Sequence, residues 1–368
     1  MVLSELSIIN YKNLIQADLV LSPKMNCFVG DNGMGKTNLL DAVYYLSFCR
    51  SYTNPVDSQI IRHGEEVCML QGRYVFEDAS REEIYCAMRR RQKKRFKRNR
   101  KEYERLSDHI GLIPLVMISP ADNELITGGS EVRRRFMDMA VSQFDREYLR
   151  ALLGYNKALL QRNVLLKGGE ALSDATLMDL WEEQMAAAGT FIHRKRREFV
   201  EELTPIFNQF YAGISRSGER VSFGYVSQLS EADFRERLRN DRQRDFLLGH
   251  TSAGIHRDEL EMLLDDYPVK RVGSQGQNKT FFVSLKLAQF RFLLKTGGVK
   301  PLLLLDDIFD RLDAGRVGEI VKLVSGPEFG QIFISDTNRG SLDGILARID
   351  SRAQIFSVAN GVINPVKV

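Results

Sequence analysis

Residues 30–37 read GDNGMGKT, a complete G-x-x-x-x-G-K-[ST] pattern, and few short stretches restrict a fold so tightly. A backbone turning on Gly30, Gly33 and Gly35 can bring its N–H groups onto phosphate oxygens. It does so only where a strand delivers the loop and a helix leaves it. The flanks supply both. Met25, Cys27, Phe28 and Val29 form a short apolar run, and Leu39, Leu40, Val43, Tyr44 and Leu46 recur at helical spacing. That helix points its positive N-terminal end at the same anion. The eight residues Gly30, Asp31, Asn32, Gly33, Met34, Gly35, Lys36 and Thr37 are therefore expected to cradle a nucleoside triphosphate. Lys36 reaches the terminal phosphates, and the Thr37 hydroxyl takes a place on magnesium.

A second landmark lies near the other end. Pro301 to Leu305 is apolar and runs into Asp306 and Asp307, the character of a parallel strand covered on both faces. Open α/β sheets place ligands at the carboxyl ends of such strands. Asp306 is thus expected to hold magnesium opposite Thr37, and Asp307 to orient or deprotonate the attacking water. Between the landmarks, SQGQNKT at 274–280 precedes an apolar helix, with Phe281, Phe282, Leu285, Leu287 and Ala288 at its start. One subunit has little use for two anion-seeking turns around one triphosphate. The economical explanation is that this turn caps a nucleotide held by a second subunit in a two-fold dimer. An ordinary Ser-Gly helix cap is the plainer alternative.

Charge is distributed unevenly. The formal net charge is only +4, yet ten of the thirteen residues from Arg89 to Lys101 are Lys or Arg, with no acid. Ile84, Cys86 and Met88 alternate with polar neighbours just before this run, so it reads as a strand whose solvent face turns basic. Self-repulsion favours an anionic partner; DNA is the obvious one, with an acidic protein surface as the alternative. The candidate contacts are Arg89, Arg90, Arg91, Lys93, Lys94, Arg95, Lys97 and Arg98, and Phe96 among them could stack on a base. Two shorter clusters, 133–135 and 194–197, fit a solvated helix face as well as they fit nucleic acid.

The four cysteines lie 18 to 22 residues apart without a C-x-x-C pair, which reads as buried free thiols in a reducing cytoplasm. Neither a signal-peptide layout nor a run near the roughly 20 apolar residues of a membrane span is present. Residues 1–118 look β-rich, 119–222 helical, and 223–368 return to mixed strands and helices. The expected breaks are at Gly168-Gly169 and near Pro205, and the single Trp181 reads as core. No sustained heptad array separates the two nucleotide landmarks. The fold class is accordingly α/β, a P-loop ATPase with an inserted, mainly helical lobe and no long coiled coil.

Taken together these segments resemble the RecF family of bacterial DNA replication and repair proteins, whose ABC-type ATPase head is related to those of SMC and Rad50. The resemblance runs nearly end to end: NYKN at 10–13, GDNGMGKTNLLDA at 30–42, SYTNPVDSQIIRHGEE at 51–66, ISPAD at 118–122, RRRFMD at 133–138, GIHRDEL at 254–260, SQGQNKT, and LLLLDDIFDRLD at 302–313. It implies ATP with magnesium, an ATP-dependent homodimer in which Ser274, Gly276 and Gln277 act across the interface, and a dimer-facing loop that includes Asp313. It further implies DNA binding at single-strand gaps and junctions, a role in the response to DNA damage, and work with RecR and RecO to load the RecA recombinase. Departures from the family pattern are Lys12 for arginine, Tyr52-Thr53 where an arginine is common, Ile255 for proline, Asn278-Lys279 for Gln-Arg and Asp310 for serine. Asp307, where most ABC ATPases carry glutamate, is one methylene shorter, so hydrolysis is expected to be slow. No histidine follows the strand 331–334, which leaves Asp336 or Thr337 to take the place of the transporter switch histidine. That absence, with the basic run, disfavours a transporter motor, and SQGQNKT disfavours a small-molecule kinase.

Overall fold

The structure, a computed structural model, describes residues 1–54, 56–168, 175–230, 233–309, 313–337 and 353–366. Gly169 of the expected break and Asp310 lie outside the described residues. The chain divides into two compact units: Met1–Asp122 with Gly213–Ser215 and Gln289–Val368, and Asn123–Ala212 with Arg216–Ala288.

Among the described residues the first unit is built on one twelve-stranded sheet in the order β7-β6-β5-β4-β1-β2-β15-β14-β3-β13-β12-β8. Its strands are β1 (Val2–Tyr11), β2 (Leu14–Val20), β3 (Met25–Val29), β4 (Val67–Val75), β5 (Arg81–Arg89), β6 (Arg95–Arg98), β7 (Lys101–Glu102), β8 (Leu115–Ile118), β12 (Leu302–Asp306), β13 (Ile332–Asp336), β14 (Ala353–Ala359) and β15 (Val362–Val366). The sheet changes character along its width. From β14 through β3, β13 and β12 to β8 the pairing is parallel. All of β12, β13 and β8 is buried, as uninterrupted apolar runs require when both faces are covered. Phe28 of β3 stacks between Phe356 and Phe333, with ring centroids 5.1 and 6.5 Å away. From β1 to β7 the pairing is antiparallel, and β5 alternates buried and wet residues. Helices α1 (Lys36–Phe48) and α10 (Ala314–Val324) belong to this unit.

The second unit holds α2 (Glu124–Thr127), α3 (Ser130–Ser142), α4 (Arg146–Gly168), most of α5 (Ala175–Ser215), α6 (Phe234–Asn240), α7 (Arg242–Leu248), α8 (Val269–Val272) and the first part of α9 (Gln275–Gly297). A three-stranded sheet of β9 (Val221–Val226), β10 (Glu259–Leu264) and β11 (Tyr267–Pro268) completes it. Residues 223–288, read from sequence with the C-terminal half of the head, group with the helical residues instead. The cause is an aromatic cluster in which Phe207 of α5 meets Phe223 of β9 and Phe281 of α9 at 4.6 and 4.7 Å. Helix α5 also runs unbroken through Pro205. A proline cannot donate to the Glu201 carbonyl, but Glu201 is solvent-exposed, where water can take that bond. Trp181 is half-buried rather than core.

All four cysteines are free and buried. Burial pushes the Cys27, Cys49 and Cys68 thiols up to about 12, so they stay protonated and unreactive. Among the described residues no helix is long and apolar enough to cross a membrane.

Candidate functional site

The glycine loop leaves β3 in the middle of the parallel strands and enters α1 at Lys36. Gly33 and Gly35 have φ of 81° and 116°, which side chains other than glycine rarely tolerate. At Gly30 the constraint is proximity, since a Cβ there would sit 2.1 Å from the Val358 carbonyl of β14. Asp31, Asn32 and Gly33 are exposed, while Gly35 and Lys36 are buried. Lys36 Nζ folds back and donates to the Gly30 and Asp31 carbonyls at 2.6 and 2.9 Å.

Two hairpin tips hold the loop from outside. At the β1–β2 turn Asn13 Nδ2 donates to the Gly33 carbonyl at 2.9 Å, while its Oδ1 accepts from Asn38 of α1 at 2.8 Å. At the β14–β15 turn Asn360 and Gly361 take φ of 48° and 77°, and the Gly361 N–H donates to the Met34 carbonyl at 3.2 Å. One helical turn into α1, the fully buried Asp41 accepts from Tyr11 Oη, Ser51 Oγ and the Tyr52 N–H and pairs with Lys12 Nζ at 2.5 Å. Lys12 also donates to Thr53 Oγ1 at 2.6 Å, so the departures at 12 and 53 form one contact.

Strand β12 ends against this loop. Thr37 Oγ1 donates to Asp306 Oδ1 at 3.0 Å, and Ser335 of β13 donates to the same oxygen at 2.6 Å. Burial pushes the Asp306 carboxyl above its usual range, the Ser335, Thr37 and Lys36 contacts pull it back, and neighbouring Asp307 pushes it further up. Asp307 sits at φ 48° with its N–H on the Ser335 carbonyl and hydroxyl at 3.2 and 3.1 Å. A non-glycine residue held in the left-handed region stores strain of a kind that clusters at functional sites. Asp336 is buried opposite Val29 of β3, one residue ahead of the loop, while Thr337 is exposed. A hydroxyl and a carboxylate oxygen 3.0 Å apart, beside a phosphate-type loop, suit a hard divalent cation that keeps oxygen ligands from its substrate.

In the second unit, Ser274, Gly276 and Gln277 stand at the start of α9. The Ser274 N–H donates to Gln277 Oε1 at 2.7 Å and the Gln277 N–H to Ser274 Oγ at 3.2 Å, a reciprocal capping box. The cap expected of a bland serine-glycine helix start is therefore real. Asp313 caps α10 by accepting from the Arg316 N–H at 3.0 Å.

The basic run divides into engaged and free cations. Lys94 pairs with Asp57 at 2.9 Å and donates to the Cys49 carbonyl at 2.5 Å. Arg98 grips Glu82 through two bonds of 2.8 and 2.5 Å, and Arg90 Nε donates to the Glu65 carbonyl at 2.9 Å. Arg89, Arg91, Lys93 and Arg95 are exposed and Lys97 half-buried; among the described residues none of the five forms an ion pair. Phe96 does not serve as a stacking surface. Strand alternation turns it away from Arg95 and Lys97, and it lies 1% exposed against His109, with ring centroids 4.8 Å apart. The aromatic on the wet face is Tyr85, directly across from Lys97.

The two short clusters are mixed: Arg135, Arg194 and Arg197 are exposed, while Arg133, Arg134 and Arg196 are engaged with neighbouring segments. Arg133 holds Glu259 through bonds of 2.6 and 2.7 Å, and Arg134 donates to the Asp258 carbonyl at 2.7 Å. Arg196 is buried and bonds Asp138, Asp258 Oδ2 and the Ile255 carbonyl, the last two at 2.7 and 2.8 Å. RRRFMD and GIHRDEL thus meet through an arginine from a third segment. Gly254 is fixed in the same place by φ of 137° and by Tyr155 Oη, 2.2 Å from where a Cβ would lie.

A glycine loop between a parallel strand and a helix, an acid-tipped strand two places along the same sheet, and a serine-glycine helix start far off in sequence define an ABC-type ATPase head. The RecF/RecN/SMC N-terminal domain model matches residues 2–364. The DNA replication and repair protein RecF of Bacteroides thetaiotaomicron is 59% identical over 364 residues, covering 99% of this chain and 98% of that one. Its counterpart in Porphyromonas gingivalis is 51% identical over 364 residues, covering 99% and 100%. A solved structure of the recombination mediator protein RecF with ATP in the RecFOR pathway superposes with a TM-score of 0.87 at 29% identity, over 100% of this chain and 98% of that chain. The Smc head domain of Pyrococcus furiosus, at TM-score 0.60 and 16% identity over 100% and 96% of the two chains, shares the fold. The chain belongs to the RecF family of DNA replication and repair proteins.

Proposed function

We propose that this chain is an ATP-operated DNA switch whose two states are a lone head and a closed pair. The observation that carries the reading is the convergence of the Thr37 and Ser335 hydroxyls on one Asp306 oxygen beside the glycine loop. There the N–H groups of Gly30 to Thr37 bind the phosphates, and Lys36 turns from the loop carbonyls to the terminal ones. Thr37 and Asp306 would hold magnesium, which when bound would neutralise phosphate charge. Asp307 orients the attacking water. Its short side chain holds that water less closely than a glutamate would, and turnover is slow.

Ser274, Gly276 and Gln277 of one head close on the γ-phosphate held by the other, so each two-fold pair has two shared sites. Binding energy at both favours the closed pair, and hydrolysis releases it. The free cations of the β5–β6 segment, Arg89, Arg91, Lys93, Arg95 and Lys97, face DNA at gaps and junctions. In the cytoplasm the closed pair works with RecR and RecO to assist RecA loading. The relatives' shared description as replication and repair proteins supports this placement.

Sedimentation on a gapped duplex with and without ATP tests the switch. The wild-type protein becomes dimeric with ATP and Lys36→Ala stays monomeric. Dimerisation of the variant at the wild-type ATP dependence would end the proposal.

A further inference from the structure

The turn at Ser274 is stabilised by a residue outside every motif of the nucleotide site. In the capping box Ser274 Oγ accepts from the Gln277 N–H, which leaves its hydroxyl proton available for an outside acceptor. The box is only as fixed as the Gln277 side chain that closes it. A glutamine at a partly exposed helix start has several rotamers to choose from. Here its Nε2 donates to Glu219 Oε1 at 2.7 Å. The other oxygen of Glu219 accepts from Tyr211 Oη and Ser217 Oγ, both at 2.7 Å. Tyr211 is 1% exposed and packs against Phe207 and Phe281, with ring centroids 5.9 and 6.0 Å away. A continuous set of bonds therefore runs from the aromatic core through Glu219 and Gln277 to Ser274.

We infer that Glu219 is a positioning residue for the ATP-dependent pairing of heads. By holding Gln277 it fixes the Ser274 N–H and hydroxyl in the arrangement with which they meet a partner's nucleotide. A carboxylate repels phosphate, so Glu219 acts through the neutral glutamine it orients, not by touching the nucleotide. Its bonds to Tyr211 and Ser217 distribute its charge over hydroxyl donors. Pre-organisation of this kind lowers the ordering cost of association. The inference rests on the reading that Ser274 and Gln277 act across the dimer, and the test separates the two.

Dimer dissociation constants are measured by sedimentation with ATP for wild type, Ser274→Ala, Glu219→Ala, Glu219→Asp and Glu219→Gln, with monomer affinity for ATP and the melting temperature alongside. Glu219→Ala should weaken ATP-dependent dimerisation about fivefold at each shared site, about 25-fold for the pair. Monomer affinity for ATP should be unchanged. Glu219→Gln keeps an acceptor at full reach and should restore most of the loss. Glu219→Asp keeps the charge, falls a methylene short of Gln277 and should not; it takes the place of Glu219→Ala if that variant melts early. Should Ser274→Ala weaken the dimer while Glu219→Ala and Glu219→Asp leave it intact, the role given to Glu219 is wrong and the shared-site reading stands. Should Ser274→Ala itself leave the dimer intact, the shared-site reading fails and takes this inference with it.

Discussion

Arg196→Met asks whether the cluster at 194–197 is a surface for DNA or part of the interior. The Arg196 side chain is 2% exposed, Asp258 is fully buried and Asp138 is 19% exposed. Burial alone would ease the proton off Arg196, but Tyr148, Asp138 and Asp258 around it hold the guanidinium cationic and its pKa above the ordinary value. Methionine fills most of the volume and removes the charge. Two carboxylates are then left without their cation, one of them in the interior, and Asp258 Oδ1 already lacks a hydrogen-bond partner. Removing one member of a buried ion network costs about 3–5 kcal/mol. Arg194→Met should cost less than about 1 kcal/mol, because the Glu198 it meets at 3.0 Å is itself exposed. Urea unfolding, followed by the fluorescence of Trp181 in the same helix, compares them. A lone buried carboxylate takes up a proton rather than stay charged, so the Arg196→Met deficit should shrink from pH 8 to pH 5. If Arg196→Met unfolds within about 1 kcal/mol of wild type, or its deficit ignores pH, the buried-network account of these motifs is refuted.

Two further outcomes follow from the geometry. His109 donates to the Leu46 carbonyl at 2.7 Å and meets Tyr103 Oη at 3.0 Å, and burial holds its pKa down at about 4 against 6.5 when unfolded. His256, between Tyr155 Oη and the Thr251 carbonyl, is likewise lowered to about 4 by burial. Because the unfolded chain binds the extra protons, this stability is complete above pH 6.5 and is lost as pH falls toward 4, by up to about 3 kcal/mol for each histidine. Urea midpoints measured from pH 7 to 4.5 should fall more gently in His109→Gln than in wild type; equal slopes would contradict it. Replacing Arg89, Arg91, Lys93 and Arg95 by Gln should flatten the logarithmic salt dependence of duplex DNA affinity, by about 0.9 for each phosphate that is no longer neutralised. Lys94→Gln and Arg98→Gln should lower stability and leave that slope alone, and an unchanged slope in the fourfold variant would return the run to a solvated face.

The backbone of the candidate site was legible because each part has a local signature. The glycines of 30–35 announce their backbone, and the apolar run before Asp306 announces a covered parallel strand. What the pattern could not reveal is which polar groups meet across the sheet. Ser335 reaches Asp306 from a strand 29 residues away, and nothing around Ser335 marks it. Asn360-Gly361 was readable as a two-residue hairpin turn, but its contact with Met34 depends on β14 pairing with β3. Charge runs were the least reliable guide. Lys94 and Lys93 are neighbours in sequence, yet one is tied to Asp57 and the other faces water. Phe96 likewise differs from its cationic neighbours only in the face to which strand alternation turns it.

Shared construction of the site is tested most directly by mixing two inactive proteins. Lys36→Ala breaks the glycine loop, and Ser274→Arg breaks the helix start that is proposed to serve the other head. In a mixed pair one site combines the intact loop of one chain with the intact Ser274 of the other. Neither variant pairs with itself under ATP, so the pairs that form are mixed, each with one sound site of two, and ATP turnover should rise to at most about half of wild type. A mixture no more active than the sum of its separate components would contradict a site built from both chains.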